Sequence, residues 1–122
     1  MNQKFHELDK QFWPQQWISA WNAHDMPTIL SHYSDDLIMV SPMIQRLMGV
    51  SSSSLHGKNA VAEYWQKALQ HVPDLKFELL FACWGEKSVI LNYKGVGGRV
   101  VSEVLQFNES GQICRGHAHY AD

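Results

Sequence analysis

The sequence has 122 residues, 45% of them apolar and 18% charged, with a formal net charge of -2 at pH 7. That length and apolar share suit one globular domain with one core and exclude a disordered chain. Scattered Lys and Arg leave no basic stripe for a nucleic-acid backbone, and no apolar run nears the ~20 residues that span a bilayer, so neither nucleic acid nor membrane is an expected partner.

The opening, Met1 to Lys10, is polar and lacks the apolar core of a signal peptide, which places the protein in the cytoplasm. Trp13, Trp17, Ile18 and Trp21 recur at helical spacing and predict a first helix with indoles along one face. Pro14 starts this helix or kinks it. Asn22, Ala23 and His24 break the pattern. Asp25 then reads as the N-cap of a short second helix with Pro27 in its first turn, an apolar face of Ile29, Leu30 and Tyr33, and an end at Asp35 and Asp36. Leu37 to Ser41 is strand-like and stops at Pro42. Met43 to Gly57, with Gly49 and the serines at 51–54, reads as a long loop, a kind of segment that is often functional. A third helix, Asn59 to His71, carries the stripe Val61, Tyr64, Trp65, Ala68 and Leu69 and closes at Val72-Pro73.

Everything beyond Pro73 reads as β. Leu75, Phe77, Leu79, Phe81 and Cys83 alternate with Lys76, Glu78 and Leu80; Gly85-Glu86 is a turn, and Ser88 to Lys94 the next strand. Gly95 to Gly98 is a glycine-rich turn, not a dinucleotide fingerprint, because no helix follows it to hold a pyrophosphate. No cofactor is implied. Arg99 to Phe107 and Gln112 to Tyr120 are the last strands, joined by a hairpin at Asn108 to Gly111. Cys83 and Cys114 both fall in strands and read as small buried thiols, with no disulfide required. Helices first and a meander afterwards predict a single α+β domain over residues 1–122, three N-terminal helices packed on a curved antiparallel sheet.

Alternation sorts the strand residues by face. In the last strand Cys114, Gly116, Ala118 and Tyr120 form one set. Ile113, Arg115, His117 and His119 form the other, which looks outward. In the strand before it, Glu103 shares a face with Val101, Leu105 and Phe107. A carboxyl among such neighbours is costly unless paired, and its pKa should rise; that keeps an acid protonated or poises a base near neutrality. The same residue also reads as a structural acid bonded to Tyr33, Tyr93 or an indole. His117 and His119 stand at i, i+2 on one strand without a third ligand at recognisable spacing, so no metal site is expected; they read as outer-face groups that a dimer would make pH-sensitive.

Three stretches in order, Trp21-Asn22-Ala23-His24-Asp25-Met26, Tyr33-Ser34-Asp35-Asp36 and Ser41-Pro42, resemble the opening of SnoaL-like proteins of the nuclear transport factor 2-like superfamily. Gly57-Lys58 at the third helix and the ending Phe107, Gly111-Gln112-Ile113 and Tyr120 fit the same pattern. The resemblance covers nearly the whole chain. It implies a cystatin-like, cone-shaped domain with a deep pocket, commonly a homodimer packed through the outer sheet face. The superfamily hosts isomerases, epoxide hydrolases, polyketide cyclases, dehydratases and non-catalytic binders, so the resemblance speaks to fold more than function.

A more distant similarity to ketosteroid isomerases puts Glu103 where those enzymes hold a protonated acid, and Tyr33 on one of their hydrogen-bonded tyrosines. Their general base falls on Ser41, their substrate-binding tyrosine on Trp17 and a third tyrosine on Trp65. An acid of the epoxide hydrolases falls on Ala118. Neither machinery is intact. The expected site is therefore an apolar pocket walled by Trp17, Trp21, Tyr33, Trp65, Leu91, Tyr93, Leu105 and Tyr120, with Gly116 and Ala118 on the face of Tyr120. Glu103, assisted by Tyr33 or Tyr93, is its polar anchor, and Ser41 adds a hydrogen bond at the mouth. Arg46 meets an anionic group or is simply solvated. The expected occupant is a small apolar or aromatic molecule, bound and transformed by cofactor-free proton transfer (isomerisation, cyclisation or hydrolysis). The alternatives are a non-catalytic binder and a dimeric interaction module with a self-filled core.

Overall fold

The computed structural model describes residues 4–122; Met1 to Gln3, the start of the polar opening, lie outside the described residues. Helix α1 spans Trp13–Asn22, with Pro14 in its first turn, where the missing N–H costs nothing, and with Trp13, Trp17, Ile18 and Trp21 on its buried face. Helix α2, Met26–Ser31, is capped by Asp25, whose carboxylate accepts from the Thr28 amide and, at 2.6 Å, from its hydroxyl. Strand β1 follows at once, over Tyr33–Val40, so Tyr33, Asp35 and Asp36 belong to a strand and not to the end of the second helix.

The segment expected as a long loop is instead a helix and a strand. Helix α3 covers Pro42–Met48 and β2 covers Ser54–His56. Ser41 accepts from the Met43 amide at 3.2 Å, Pro42 occupies the first turn, and Gly49 ends the helix in the left-handed region at φ 66°. All three punctuation marks are present in the sequence, but seven residues are too few to display an apolar period. Helix α4, Lys58–His71, then buries Val61, Tyr64 and Trp65.

Strands β3 (Glu78–Gly85), β4 (Ser88–Lys94), β5 (Val100–Phe107) and β6 (Ile113–Tyr120) complete one six-stranded sheet in the order β2-β1-β6-β5-β4-β3. Every neighbouring pair is antiparallel except β1 and β6, which run parallel. The four helices pack on this curved, unclosed sheet, α4 over β1 and α1 against β3. The core between the layers contains Trp17, Tyr33, Leu37, Ile44, Val61, Leu91 and Leu105, all fully buried.

Two bulges change which face a residue occupies. Register shifts between Leu79 and Phe81, so Phe81 and Cys83 face solvent while Leu79 turns inward. A second shift, beside Phe107, sets Ile113 in the core although strict alternation would send it out with His117. The cysteines are accordingly not buried thiols: Cys83 is exposed, Cys114 partly so, and both are free. No described helix is long and apolar enough to cross a membrane.

Candidate functional site

The inner face of the sheet is built in rungs. Leu91, Glu103 and Ala118 are register partners across β4, β5 and β6, and the next inward rung is Tyr93, Val101 and Tyr120. Glu103 therefore stands between two apolar side chains, 5% exposed. Tyr93, diagonal to it, donates to Glu103 Oε1 at 2.7 Å, and Oε2 has no hydrogen-bond donor among the described residues. Burial pushes the carboxyl up to about 7, against a smaller downward pull from the Tyr93 hydroxyl. Burial and the adjacent Glu103 together drive the Tyr93 hydroxyl far up, so it stays a proton donor.

Opposite the sheet lies an aromatic wall. Trp21 meets Trp65 edge to face at 5.1 Å, and Phe77 bridges Trp17 and Tyr93. Trp17 Nε1 donates to Tyr33 Oη at 2.9 Å. The Trp21 N–H lies near the same oxygen but reaches no partner in hydrogen-bonding geometry, and it is buried. The two walls enclose a cavity of about 390 Å³, within the range of small-molecule sites.

Glu103, Tyr93, Trp17, Trp21, Trp65, Ser41, Ala118 and Tyr120 all line this cavity, as does Arg46. Four other expected residues do not. Tyr33 is fully buried behind the wall, where its oxygen holds Trp17 in place. Leu91 and Leu105 fill the core beneath the sheet's inner surface. Gly116 is covered by Met39, whose sulfur lies 2.7 Å from where a Cβ would stand. Ser41 is 1% exposed and caps α3, so it belongs to the interior and not to the mouth; burial pushes the Tyr64 and Tyr120 hydroxyls up, and the nearby Ser41 hydroxyl pulls both slightly back.

The sequence does not mark Met43 and Leu47 as lining residues, because α3 is too short to show a period, nor Met39 of β1, nor Arg99 and Val96 at the β4–β5 turn. Tyr64 and Ala68 were legible as part of the α4 stripe, one turn apart and beside Trp65. On the opposite sheet face His117 and His119 are exposed, their rings 4.3 Å apart. Among the described residues no three His, Cys, Asp or Glu side chains gather as a metal site.

The family model for the SnoaL-like domain matches residues 15–120. A SnoaL-like protein of unknown function from Burkholderia thailandensis E264 is 43% identical, with a TM-score of 0.86 over 93% of this chain and 95% of that one. A candidate isomerase of the SnoaL-like family from Agrobacterium tumefaciens C58 superposes with a TM-score of 0.73 at 15% identity, over 93% and 97% of the two chains. A protein with a cystatin-like fold from Methylobium petroleophilum PM1 gives 0.72 at 13% identity, over 100% and 80%. The last two show shared architecture only. No curated protein sequence matches the chain.

Proposed function

We propose that this chain, which belongs to the SnoaL-like domain family, binds a small, flat, mainly apolar organic molecule in its cavity and moves a proton on it through Glu103. Family membership fixes the architecture, while function has to be argued from the site. One observation carries the reading: a carboxyl buried between Leu91 and Ala118, poised near pH 7, with one oxygen held by Tyr93 and the other unbonded at a cavity wall. Such a group takes a proton as carboxylate and returns it as acid without a large cost in either direction. The indoles of Trp17, Trp21 and Trp65 offer flat surfaces for a ring and keep water away from the exchange.

A non-catalytic binder is the second reading. Its support is that Glu103 is the one acidic side chain lining the cavity among the described residues, with Ser41 and Ala118 where the resemblance puts second acids. A cavity of about 390 Å³ favours either reading over the self-filled core of a pure interaction module. The outer sheet face, with Phe81 58% exposed and Ile90 38% exposed, suits a homodimer contact.

Deuterium incorporation into a panel of cyclic ketones in heavy water tests the proton-transfer reading. Wild-type protein is expected to speed exchange beside the carbonyl, and Glu103→Gln to return it to the background rate. Equal exchange by both proteins overturns the role of Glu103. Quenching of the indole fluorescence without exchange selects the binder.

A further inference from the structure

The cavity is unevenly charged along its depth. Its one acid, Glu103, is buried, whereas Arg46, Arg99 and His71 line the same cavity and are exposed, which sets them at its mouth. Two of the chain's three arginines thus surround one opening in a protein of net charge -2. Neither has a carboxylate partner among the described residues, where the recorded ion pair joins Lys58 and Asp35.

Arg99 is held in position. Its Nε donates to the Ala121 carbonyl at 2.5 Å, and its guanidinium lies 5.2 Å from the ring centre of Tyr120, itself a lining residue. That arrangement leaves the terminal amines without a hydrogen-bond partner among the described residues and costs little further side-chain entropy when they bind. Arg46 occupies the last turn of α3, where a cation also offsets the helix dipole. That structural role requires no place on a cavity rim, however, and α3 delivers Met43 and Leu47 to the same rim.

We infer, building on the reading of the cavity as a ligand site, that its occupant is an amphipathic organic anion: a ring seated among Trp17, Trp21 and Trp65, with a carboxylate held at the mouth by Arg46 and Arg99. A guanidinium matches a carboxylate with two parallel hydrogen bonds. The ionised form of Glu103 repels an anion from the depth of the cavity, so the ring end goes in first and the acid stays outside. The orientation also brings the part of the ring farthest from the carboxylate to Glu103.

The test is a fluorescence titration of the full chain with aryl-acetic acids of one to three rings and their neutral amides. For wild type the best acid is expected to bind roughly tenfold tighter than its amide, an advantage that shrinks as salt is raised. In Arg46→Ala/Arg99→Ala the two compounds bind alike, and the amide keeps its wild-type affinity. Trp65→Leu weakens both compounds together. An amide that binds as well as its acid to wild type, or an acid preference that survives the double substitution, overturns the anion inference while leaving the ligand site intact. Failure of every acid and every amide to bind wild type overturns the ligand-site reading itself.

Discussion

Tyr93 and Glu103 are diagonal neighbours on the β4–β5 ladder, and their 2.7 Å bond is the one side-chain hydrogen bond to the buried carboxyl among the described residues. The bond favours the ionised form, so losing it raises the pKa of Glu103 further above about 7. Tyr93→Phe is expected to move the Glu103 titration, followed by carbon NMR of the labelled carboxyl, to higher pH, and to lower stability by about 1–3 kcal/mol. An unmoved titration would show that the hydroxyl does not set the acidity.

Glu103 itself makes stability depend on pH. Its folded pKa is raised above the ordinary glutamate value of 4.5, so its full contribution is present below pH 4.5 and is lost as pH climbs through about 7. The loss across that window is about 3 kcal/mol. Glu103→Gln removes the titration, so its stability relative to wild type is expected to rise between pH 4.5 and pH 8. Urea unfolding of both proteins at matched pH checks this, and a constant difference would contradict it.

The two neighbouring indoles predict unequal costs. Trp17→Phe breaks the 2.9 Å bond to Tyr33 Oη, whereas Trp21→Phe removes an N–H that has no partner. Both lose similar volume. Trp17→Phe is therefore expected to cost about 1 kcal/mol more in denaturant unfolding. Equal losses would mean that the Tyr33 contact adds nothing.

Gly116→Ala is expected to narrow the cavity from behind. Its Cβ would stand 2.7 Å from Met39 Sδ and 3.4 Å from Leu105, and Met39 is itself a lining residue. Repacking a core around one added methyl costs about 1–3 kcal/mol. Thermal unfolding reads that loss, and a fluorescence titration with the largest ring that binds wild type reads the narrowing.

Phe81→Lys places a charge on the proposed dimer face, on the edge strand β3, without touching the cavity, which Phe81 does not line. Sedimentation is expected to shift from dimer to monomer while indole quenching by the probes persists. A wild-type protein that sediments as a monomer would remove the dimer proposal.

Much of the fold was legible because long elements repeat their signal. The α4 stripe and the alternation along β4 each persist for several residues, and Ser88–Lys94 is the same strand in the sequence and in the structure. Short elements were not legible: α3 and β2 carry caps but no period. Bulges were invisible too, since an inserted residue has no composition of its own, and one of them turned Phe81 outward and another drew Ile113 in. At the site, Glu103 and the indoles followed from counting by twos and by helical turns. Arg99 did not, because its position over Tyr120 depends on how β5 leaves the hairpin and meets the chain at Ala121. Leu91 and Leu105 share an inward face with Glu103 but lie beneath the surface, and alternation alone cannot assign depth.

The parallel pairing of β1 with β6 fixes when the cavity can exist at all. The Ser34 hydroxyl donates to the Ile113 carbonyl across 79 positions of sequence, and β1 has no neighbour on that side until β6 arrives. Every antiparallel hairpin from β3 to β6 can zip locally, but this seam must close a very long loop, a slow step. The cavity is therefore expected to be a late product of folding, so that a probe found to bind in it would report on whether the seam has closed.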